Sequence, residues 1–272
     1  MSDFLHTTVL GKRVHRLGIS NNYGIDADGL RKALDHGLNY VWYVRSTEKV
    51  ATDPLREACA RDRDSVFIAT GPSMALTGGA IRRHCEKVLT KLGTDHVDLL
   101  QLFWAGKMSR ISEGTLTALT KLRDEGKCRG IGVSIHDRAW AGRLARDRVF
   151  DVLMIRYNAG HPGAEQDIFP HIGEGADKVG IVSYTSTRWG TLLKAPSGWE
   201  DRPASAAECY NFALSHPAVD VVLTGPASWE QLEENLGGLQ EPMSAERVAW
   251  MKSLGAKARG TNPVTGYFTE GF

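Results

Sequence analysis

The sequence predicts an α/β fold in which eight parallel strands, each followed by a helix, close into a (β/α)8 barrel. The chain has 272 residues, of which 42% are hydrophobic and 24% are charged, as is usual for globular domains. Eight short apolar runs alternate with segments whose apolar residues recur at helical spacing. Because no shift in composition divides the chain, we expect one domain over 1–272, with an extra C-terminal helix and tail from about 243.

The clearest unit of this alternation lies near the middle of the chain. In residues 112–127, leucines recur at helical spacing after Ser112, which suits a helix start. The apolar runs 97–104 and 129–135 flank this helix with short joints on either side. A strand, a helix and a second strand joined in this way form a right-handed crossover between parallel strands.

The remaining elements follow in the same order. A turn at Asn21 and Gly24 ends the first strand, and Gly37 ends the first helix, which follows Asp26. Pro170 should shorten the sixth helix because proline has no amide hydrogen. The predicted strands are 15–20, 39–44, 65–71, 97–104, 129–135, 152–158, 179–185 and 219–225. The later helices are predicted at 53–62, 78–93, 112–127, 137–148, 164–172, 204–217 and 228–239, with a last amphipathic segment at 244–258.

Bulk properties limit the classes of partner. A net charge of +1 argues against a basic face for nucleic acid, and no apolar run approaches the ~18 residues that a membrane span needs. The four cysteines lie far apart and form no CxxC pair, so we expect reduced thiols in a cytoplasmic protein and no metal site. A small molecule is the expected ligand, and the sequence does not set the oligomeric state.

In a parallel barrel, functional side chains lie at the carboxyl ends of the strands. The polar residues near predicted strand ends are Tyr23, Tyr43, Arg45, Lys49, His136, Arg156 and His161. His136 and His161 follow adjacent strands and titrate near neutrality, so they are candidates for the acid and base of an isomerase or lyase. Two histidines without a third spaced ligand do not predict a metal site.

Several phrases, in order, resemble the aldo-keto reductase family. They include KLGTDHVDLLQL at 91–102, LRDEGKCRGIGVS at 122–134 and TGPASWEQLEENL at 224–236. The resemblance implies the same barrel and the reduction of carbonyls with NADPH by Asp, Tyr, Lys and His at four strand ends. In that chemistry the tyrosine supplies a proton, and a lysine paired with the aspartate lowers the pKa of the phenol from ~10.

The four family positions hold other residues in this chain. They are Trp42 for the aspartate, Thr47 for the tyrosine, Gly71 for the lysine and Phe103 for the histidine. Because an alcohol is a much weaker acid than a phenol, we expect no conventional aldehyde or ketone reduction. One hypothesis is an oxidoreductase with a rebuilt site, for which Tyr23, Tyr43 and His136 are the substitutes. Another is a non-catalytic barrel that senses a ligand or cofactor or binds a partner.

The resemblance also implies positions for NADP(H) or NAD(H). It places Ser134 and Tyr184 at the nicotinamide, and Arg188 is the nearest candidate for a phosphate contact. The family residues around the adenosine end correspond to Gly225, Ser228, Gln231 and Asn235, where a loop enters the eighth helix. A helix N-terminus favours an anion because its N–H groups are free. Ile135 and Met154 replace family amides, and the choice between the two cofactors stays open.

Overall fold

The computed structural model describes residues 4–260, and its main feature is a closed barrel of eight parallel strands. Neighbouring barrel strands follow one another along the chain, and the last pairs with the first. The predicted α/β fold, a (β/α)8 TIM barrel, is therefore confirmed. In chain order the strands are the hairpin pair β1 (His6–Val9) and β2 (Lys12–His15), then the barrel strands β3 (Leu17–Ser20), β4 (Tyr40–Tyr43), β5 (Phe67–Thr70), β6 (Val97–Ala105), β7 (Cys128–Ile135), β8 (Val152–Arg156), β9 (Gly180–Tyr184) and β10 (Val221–Thr224).

The helices lie between the strands, and most begin at a side chain that caps the first turn. Ser112 and Ser205, for example, accept hydrogen bonds from backbone N–H groups of the helices they precede. The helices are α1 (Ala27–Asp35), α2 (Glu48–Arg61), α3 (Gly78–Leu92), α4 (Glu113–Asp124), α5 (Arg138–Arg146), α6 (Ala164–Asp167), α7 (Ala206–Leu214), α8 (Trp229–Gly237) and α9 (Ala245–Gly260). As Pro170 predicts, α6 is short, and a 3-10 turn at Phe169–His171 follows it.

Two elements differ from the prediction. Helix α2 begins at Glu48, before the expected residue 53, and Pro54 is buried inside it. The sequence also placed no hairpin before the first barrel strand. In the structure β1 and β2 pair in antiparallel fashion across the amino-terminal end of the barrel, with Val9 and Val14 in the cluster that fills its interior.

A buried carboxylate holds this hairpin to the barrel. Lys12 donates to Asp98 at the start of β6 over 3.0 Å and to the carbonyl of Val66 over 2.7 Å. Asp98 is fully buried and also accepts from Arg63 at 2.8 Å. The amino-terminal end of the barrel is thus closed, and the opposite end is the one that carries the expected site.

Strand alternation sorts the side chains into two layers. Tyr40, Trp42 and Met154 belong to the cluster inside the barrel, whereas Val41 and Tyr43 belong to the layer between strands and helices. Alternation therefore decides which residues of each strand reach the mouth.

The remaining expectations concern membrane spans, metal sites, the cysteines and the C-terminal tail. Within residues 4–260 no helix is long and apolar enough to cross a bilayer, and no group of three His, Cys, Asp or Glu side chains is placed to hold a metal ion. Each of the four cysteines is a buried free thiol. The expected tail at 259–272 lies outside the described residues beyond Gly260, the last residue of α9.

Candidate functional site

The four positions that the resemblance assigns to catalysis carry packed or internally bonded residues. Trp42 is buried in the barrel interior, with its ring centre 6.2 Å from that of Phe103. Thr47 is fully buried before α2. Its hydroxyl accepts from the N–H of Val44 at 3.0 Å and donates to the carbonyl of Val44 at 2.9 Å. This oxygen is therefore occupied by hydrogen bonds within its own turn.

Gly71, which follows β5, is a glycine for a steric reason. A Cβ atom added there would lie 2.1 Å from the carbonyl oxygen of Gln101 on β6. Any side chain at this position, a lysine included, would force the two strands apart. No cation therefore enters the mouth from this strand end.

An acid–base pair is present at a different place in the mouth. The hydroxyl of Tyr184, at the end of β9, lies 2.6 Å from Nε2 of His136, which follows β7. The imidazole also packs against Trp104, with ring centres 5.2 Å apart. A neutral imidazole accepts the phenol hydrogen at this distance when its own hydrogen is on Nδ1.

Burial sets the protonation states of this pair. It lowers the pKa of His136 to about 4, and the nearby cations Arg156 and Lys107 act in the same direction. Burial also raises the pKa of Tyr184 to about 12, whereas Arg156 and the hydroxyl of Ser134 lower it. At neutral pH the pair therefore consists of a phenol and an uncharged imidazole.

Arg156 is the cation beside this pair. It ends β8 opposite Tyr184 in the strand register, on the same face as Met154 in the barrel interior. Its guanidinium carbon lies 6.0 Å from the ring centre of Trp189. Its Nη1 is buried and has no hydrogen-bond partner among residues 4–260.

His161 follows the same strand. Its Nδ1 lies 3.2 Å from Oδ1 of Asn158, and its Nε2 is buried without a hydrogen-bond partner in the described chain. Burial lowers the pKa of His161 to about 3, and Arg156 is the neighbouring charge with the largest effect in that direction.

The tyrosines proposed as substitutes lie elsewhere. Tyr43 is fully buried against α2, with its hydroxyl 2.8 Å from that of Thr52, so the structure does not bring it to the mouth. Tyr23 is 62% exposed at the rim. Its ring covers Gly225, since a Cβ atom added to that glycine would lie 2.1 Å from ring atom Cδ2. Of the three proposed substitutes, His136 is the one that contacts another candidate, Tyr184.

Comparison with known proteins places the chain in a family. The model of the aldo/keto reductase family matches residues 17–205. The chain belongs to the aldo/keto reductase family. It is 24% identical over 242 residues to L-galactose dehydrogenase of Arabidopsis thaliana, a match that covers 77% of this chain and 69% of the relative. It is 34% identical over 153 residues to methylglyoxal reductase of Escherichia coli, covering 52% of this chain and 51% of the relative.

Another relative and two solved structures extend the comparison. An aldo-keto reductase of Bacillus subtilis is 29% identical over 177 residues, which cover 60% of this chain and 52% of the relative. The chain thus spans about half the length of the two bacterial relatives. The holo form of a Bacillus halodurans aldo-keto reductase superposes with a TM-score of 0.74 at 20% identity over 92% of this chain and 95% of that one. A Klebsiella pneumoniae aldo-keto reductase in complex with NADPH gives a TM-score of 0.71 at 22% identity, again over 92% and 95%.

The residues expected at the nicotinamide end lie together in this member of the family. Ser134 is buried in β7 and contacts Tyr184. Two further buried side chains at strand ends on either side of β10 have polar atoms with no hydrogen-bond partner within residues 4–260. They are Asn21, through both amide atoms, and Ser186, through its hydroxyl. Because buried polar groups are normally satisfied, these atoms fit a polar ligand such as the nicotinamide end of a dinucleotide.

The residues expected at the adenosine end are partly committed to the protein itself. Ser228 accepts from the N–H of Gln231 at 3.3 Å, and Oε1 of Gln231 accepts from the N–H of Ala227 at 2.6 Å. Asn235 is buried in α8, and the first turn of this helix also carries Glu230. Such a helix start suits a 2′-phosphate poorly, because a carboxylate repels it and internal bonds occupy two of the N–H groups.

Arg188 is not placed as a phosphate contact was expected to be. It is 1% exposed, and its Nη1 donates to the carbonyl of Ala258 in α9 and to the hydroxyl of Thr191, each over 3.1 Å. This guanidinium ties the loop after β9 to the last helix.

Proposed function

We propose that this aldo/keto reductase is a nicotinamide-dependent oxidoreductase whose proton donor is Tyr184 rather than a residue at the family's usual position. One observation carries the proposal, namely the 2.6 Å contact between Tyr184 and His136 beside the guanidinium of Arg156. A phenol next to a cation is the combination that carbonyl reduction needs, with arginine here in the role of lysine.

In this proposal Tyr184, Arg156 and His136 would act together in proton transfer. A dinucleotide held at this mouth would supply or accept the hydride. The Tyr184 hydroxyl gives its proton to the carbonyl oxygen, and Arg156 stabilises the phenolate that remains. For this step His136 takes the neutral tautomer with its hydrogen on Nε2 and donates to the Tyr184 oxygen, which leaves the phenol hydrogen free for the carbonyl oxygen. Since burial keeps the pKa of Tyr184 at about 12, we expect a weaker acid than a phenol paired with an exposed lysine, and slower turnover.

Cofactor binding in the proposal rests on the nicotinamide end. Ser134 would receive the nicotinamide, and the polar atoms of Asn21 and Ser186 would bind the neighbouring part of the dinucleotide. The oxidoreductase relatives and the Klebsiella pneumoniae complex with NADPH support this assignment by analogy. Glu230 at the start of α8 favours NAD(H) over NADP(H).

A second candidate is a non-catalytic barrel that senses a cofactor or ligand. The packing of Trp42 against Phe103 and the steric block at Gly71 favour it, because both leave the family's catalytic positions without an acid or a cation. An isomerase or lyase that uses His136 and His161 has less support. With pKa values of about 4 and 3, neither histidine carries a proton to donate as imidazolium at neutral pH.

Cofactor titration followed by turnover separates these candidates. Purified protein is titrated with NADH and NADPH while tryptophan fluorescence is recorded, and cofactor oxidation is then measured with a panel of aldehydes, ketones and oxo acids. Binding with turnover supports the oxidoreductase. Binding without turnover on any compound supports the sensing barrel, and no binding at millimolar cofactor contradicts both nicotinamide proposals.

A further inference from the structure

Arg156 is a half-buried cation, with Nη1 fully buried, for which residues 4–260 supply no carboxylate. Its neighbour Arg138 pairs with Asp167 at 2.9 Å, and Arg188 donates to a carbonyl and a hydroxyl. Arg156, by contrast, has no ion pair within residues 4–260, and the arginines nearest to it are themselves cations. A charge taken partly out of water is costly unless it is paired, so this guanidinium is arranged for an anion that residues 4–260 do not supply.

The hydrogen-bonding direction of His161 is fixed by Asn158. The side-chain Nδ2 of Asn158 donates to the carbonyl of Thr185 at 2.8 Å, and its Oδ1 accepts from the N–H of Gly160 at 3.0 Å. This oxygen therefore also accepts from Nδ1 of His161. In the neutral ring the second nitrogen, Nε2, is then an acceptor, and it is buried without a partner among the described residues. It is arranged to receive a hydroxyl hydrogen.

The loop after β9 approaches the guanidinium of Arg156 in a strained backbone conformation. Thr185, Arg188 and Trp189 have φ values of 59°, 51° and 52°, in the left-handed region that residues other than glycine seldom adopt. Such strain is concentrated at ligand sites, where the surrounding structure maintains it. Here it places Trp189, which is 49% exposed, beside the guanidinium of Arg156.

We propose that the barrel mouth binds a small hydroxy acid, with the carboxylate on Arg156 and the hydroxyl on Nε2 of His161. A planar guanidinium matches a carboxylate through two parallel hydrogen bonds. The substrate role rests on the function proposed above run in the oxidising direction: the carbinol carbon would lose a hydride to the oxidised dinucleotide, and the hydroxyl would lose its proton to Tyr184 in its phenolate form, which leaves the oxo acid and a neutral phenol. Binding of the acid itself is independent of that function.

Calorimetric titration of the intact protein with glycolate, lactate and malate, without cofactor, tests the site. Arg156→Gln removes the charge, and Arg156→Lys keeps it without the planar fork. Arg138→Gln is the matched control, because it removes a neighbouring arginine that already has a carboxylate partner. We expect Arg156→Gln to weaken binding of the acid about tenfold to a hundredfold, Arg156→Lys to weaken it less, and Arg138→Gln to leave it nearly unchanged. Ethylene glycol, the uncharged analogue of glycolate, should bind the wild type no better than the variants.

Different results would overturn the proposed acid site and the proposed oxidoreductase. Equal affinity in the wild type and Arg156→Gln, or no binding of any of the three acids to the wild type, overturns the proposal. If Arg156→Gln loses affinity for NADH and keeps it for the acid, the guanidinium serves a cofactor phosphate, and the proposal also falls. If the acid binds through Arg156 but no dinucleotide binds or turns over, the anion site stands and the proposed oxidoreductase does not.

Discussion

Asp98 offers the sharpest test of what holds the barrel's closed end together. Its carboxylate is fully buried and contacts Lys12 at 3.0 Å, Arg63 at 2.8 Å and Arg129 at 3.2 Å. Asp98→Asn keeps the shape but removes the buried counter-charge of these cations. Breaking a buried ion pair costs about 3–5 kcal/mol of unfolding free energy. At roughly 2–4 °C per kcal/mol for a domain of this size, thermal unfolding followed by circular dichroism should shift down by ~6–20 °C.

Asp64 provides the matched control. It contacts two of the same cations, Lys12 at 3.8 Å and Arg129, but its side chain is 74% exposed. Exposed pairs contribute about 0–1 kcal/mol, so Asp64→Asn should change the midpoint little. Similar losses in the two variants would refute the reasoning that burial, rather than the number of ion pairs, determines the cost.

Other consequences can be measured on the same protein. In urea unfolding, Gly71→Ala should lose about 1–3 kcal/mol of unfolding free energy because the added Cβ meets the Gln101 carbonyl. Gly114→Ala in α4 is the control, because a Cβ there meets open space. Equal effects of the two substitutions would contradict the steric explanation. His84, whose Nε2 lies 2.9 Å from the Thr70 hydroxyl, has its pKa lowered by burial to about 4. Between these values the unfolded chain, with a histidine pKa of ~6.5, binds more protons than the folded chain. We therefore expect on the order of 3 kcal/mol of unfolding free energy, fully present above pH ~6.5, to be lost as the pH falls through about 4. His84→Gln should flatten this part of the stability–pH curve, and an unchanged slope would disprove the assignment. NADH should bind at least as tightly as NADPH, and Glu230→Lys should raise the affinity for NADPH; tighter NADPH binding by the wild type would count against the role given to Glu230.

The barrel could be predicted because strand-like and helix-like segments alternate along the sequence without interruption. The hairpin that precedes the barrel has no comparable sequence pattern. Its turn residues are Leu10 and Gly11, with φ values of 51° and 76°. A leucine rarely adopts this conformation, and the cost is offset by packing of its side chain against Gly130 at the start of β7. Because that contact is long-range, no local sequence pattern predicts the turn.

At the site, too, some features follow from local sequence periodicity and others depend on long-range packing. Alternation alone sends Trp42 and Arg156 into the barrel and Tyr43 outwards, so the sequence contained the signal that distinguishes Arg156 from the other polar residues near strand ends. The contact between Tyr184 and His136 joins residues 48 positions apart on strands that are not neighbours. It depends on how the loop after each strand turns, which strand periodicity does not encode.

Tyr184→Phe is the most direct test of the proposed proton donor. The substitution keeps the aromatic ring and removes only the hydroxyl that contacts His136. Tyr157→Phe is the control, because it removes a hydroxyl that donates to Glu165 at 2.7 Å from a side chain in the outer layer. With cofactor affinity unchanged in both variants, turnover should fall about a hundredfold to ten-thousandfold in Tyr184→Phe and stay near wild type in Tyr157→Phe. Wild-type turnover in Tyr184→Phe would contradict the account.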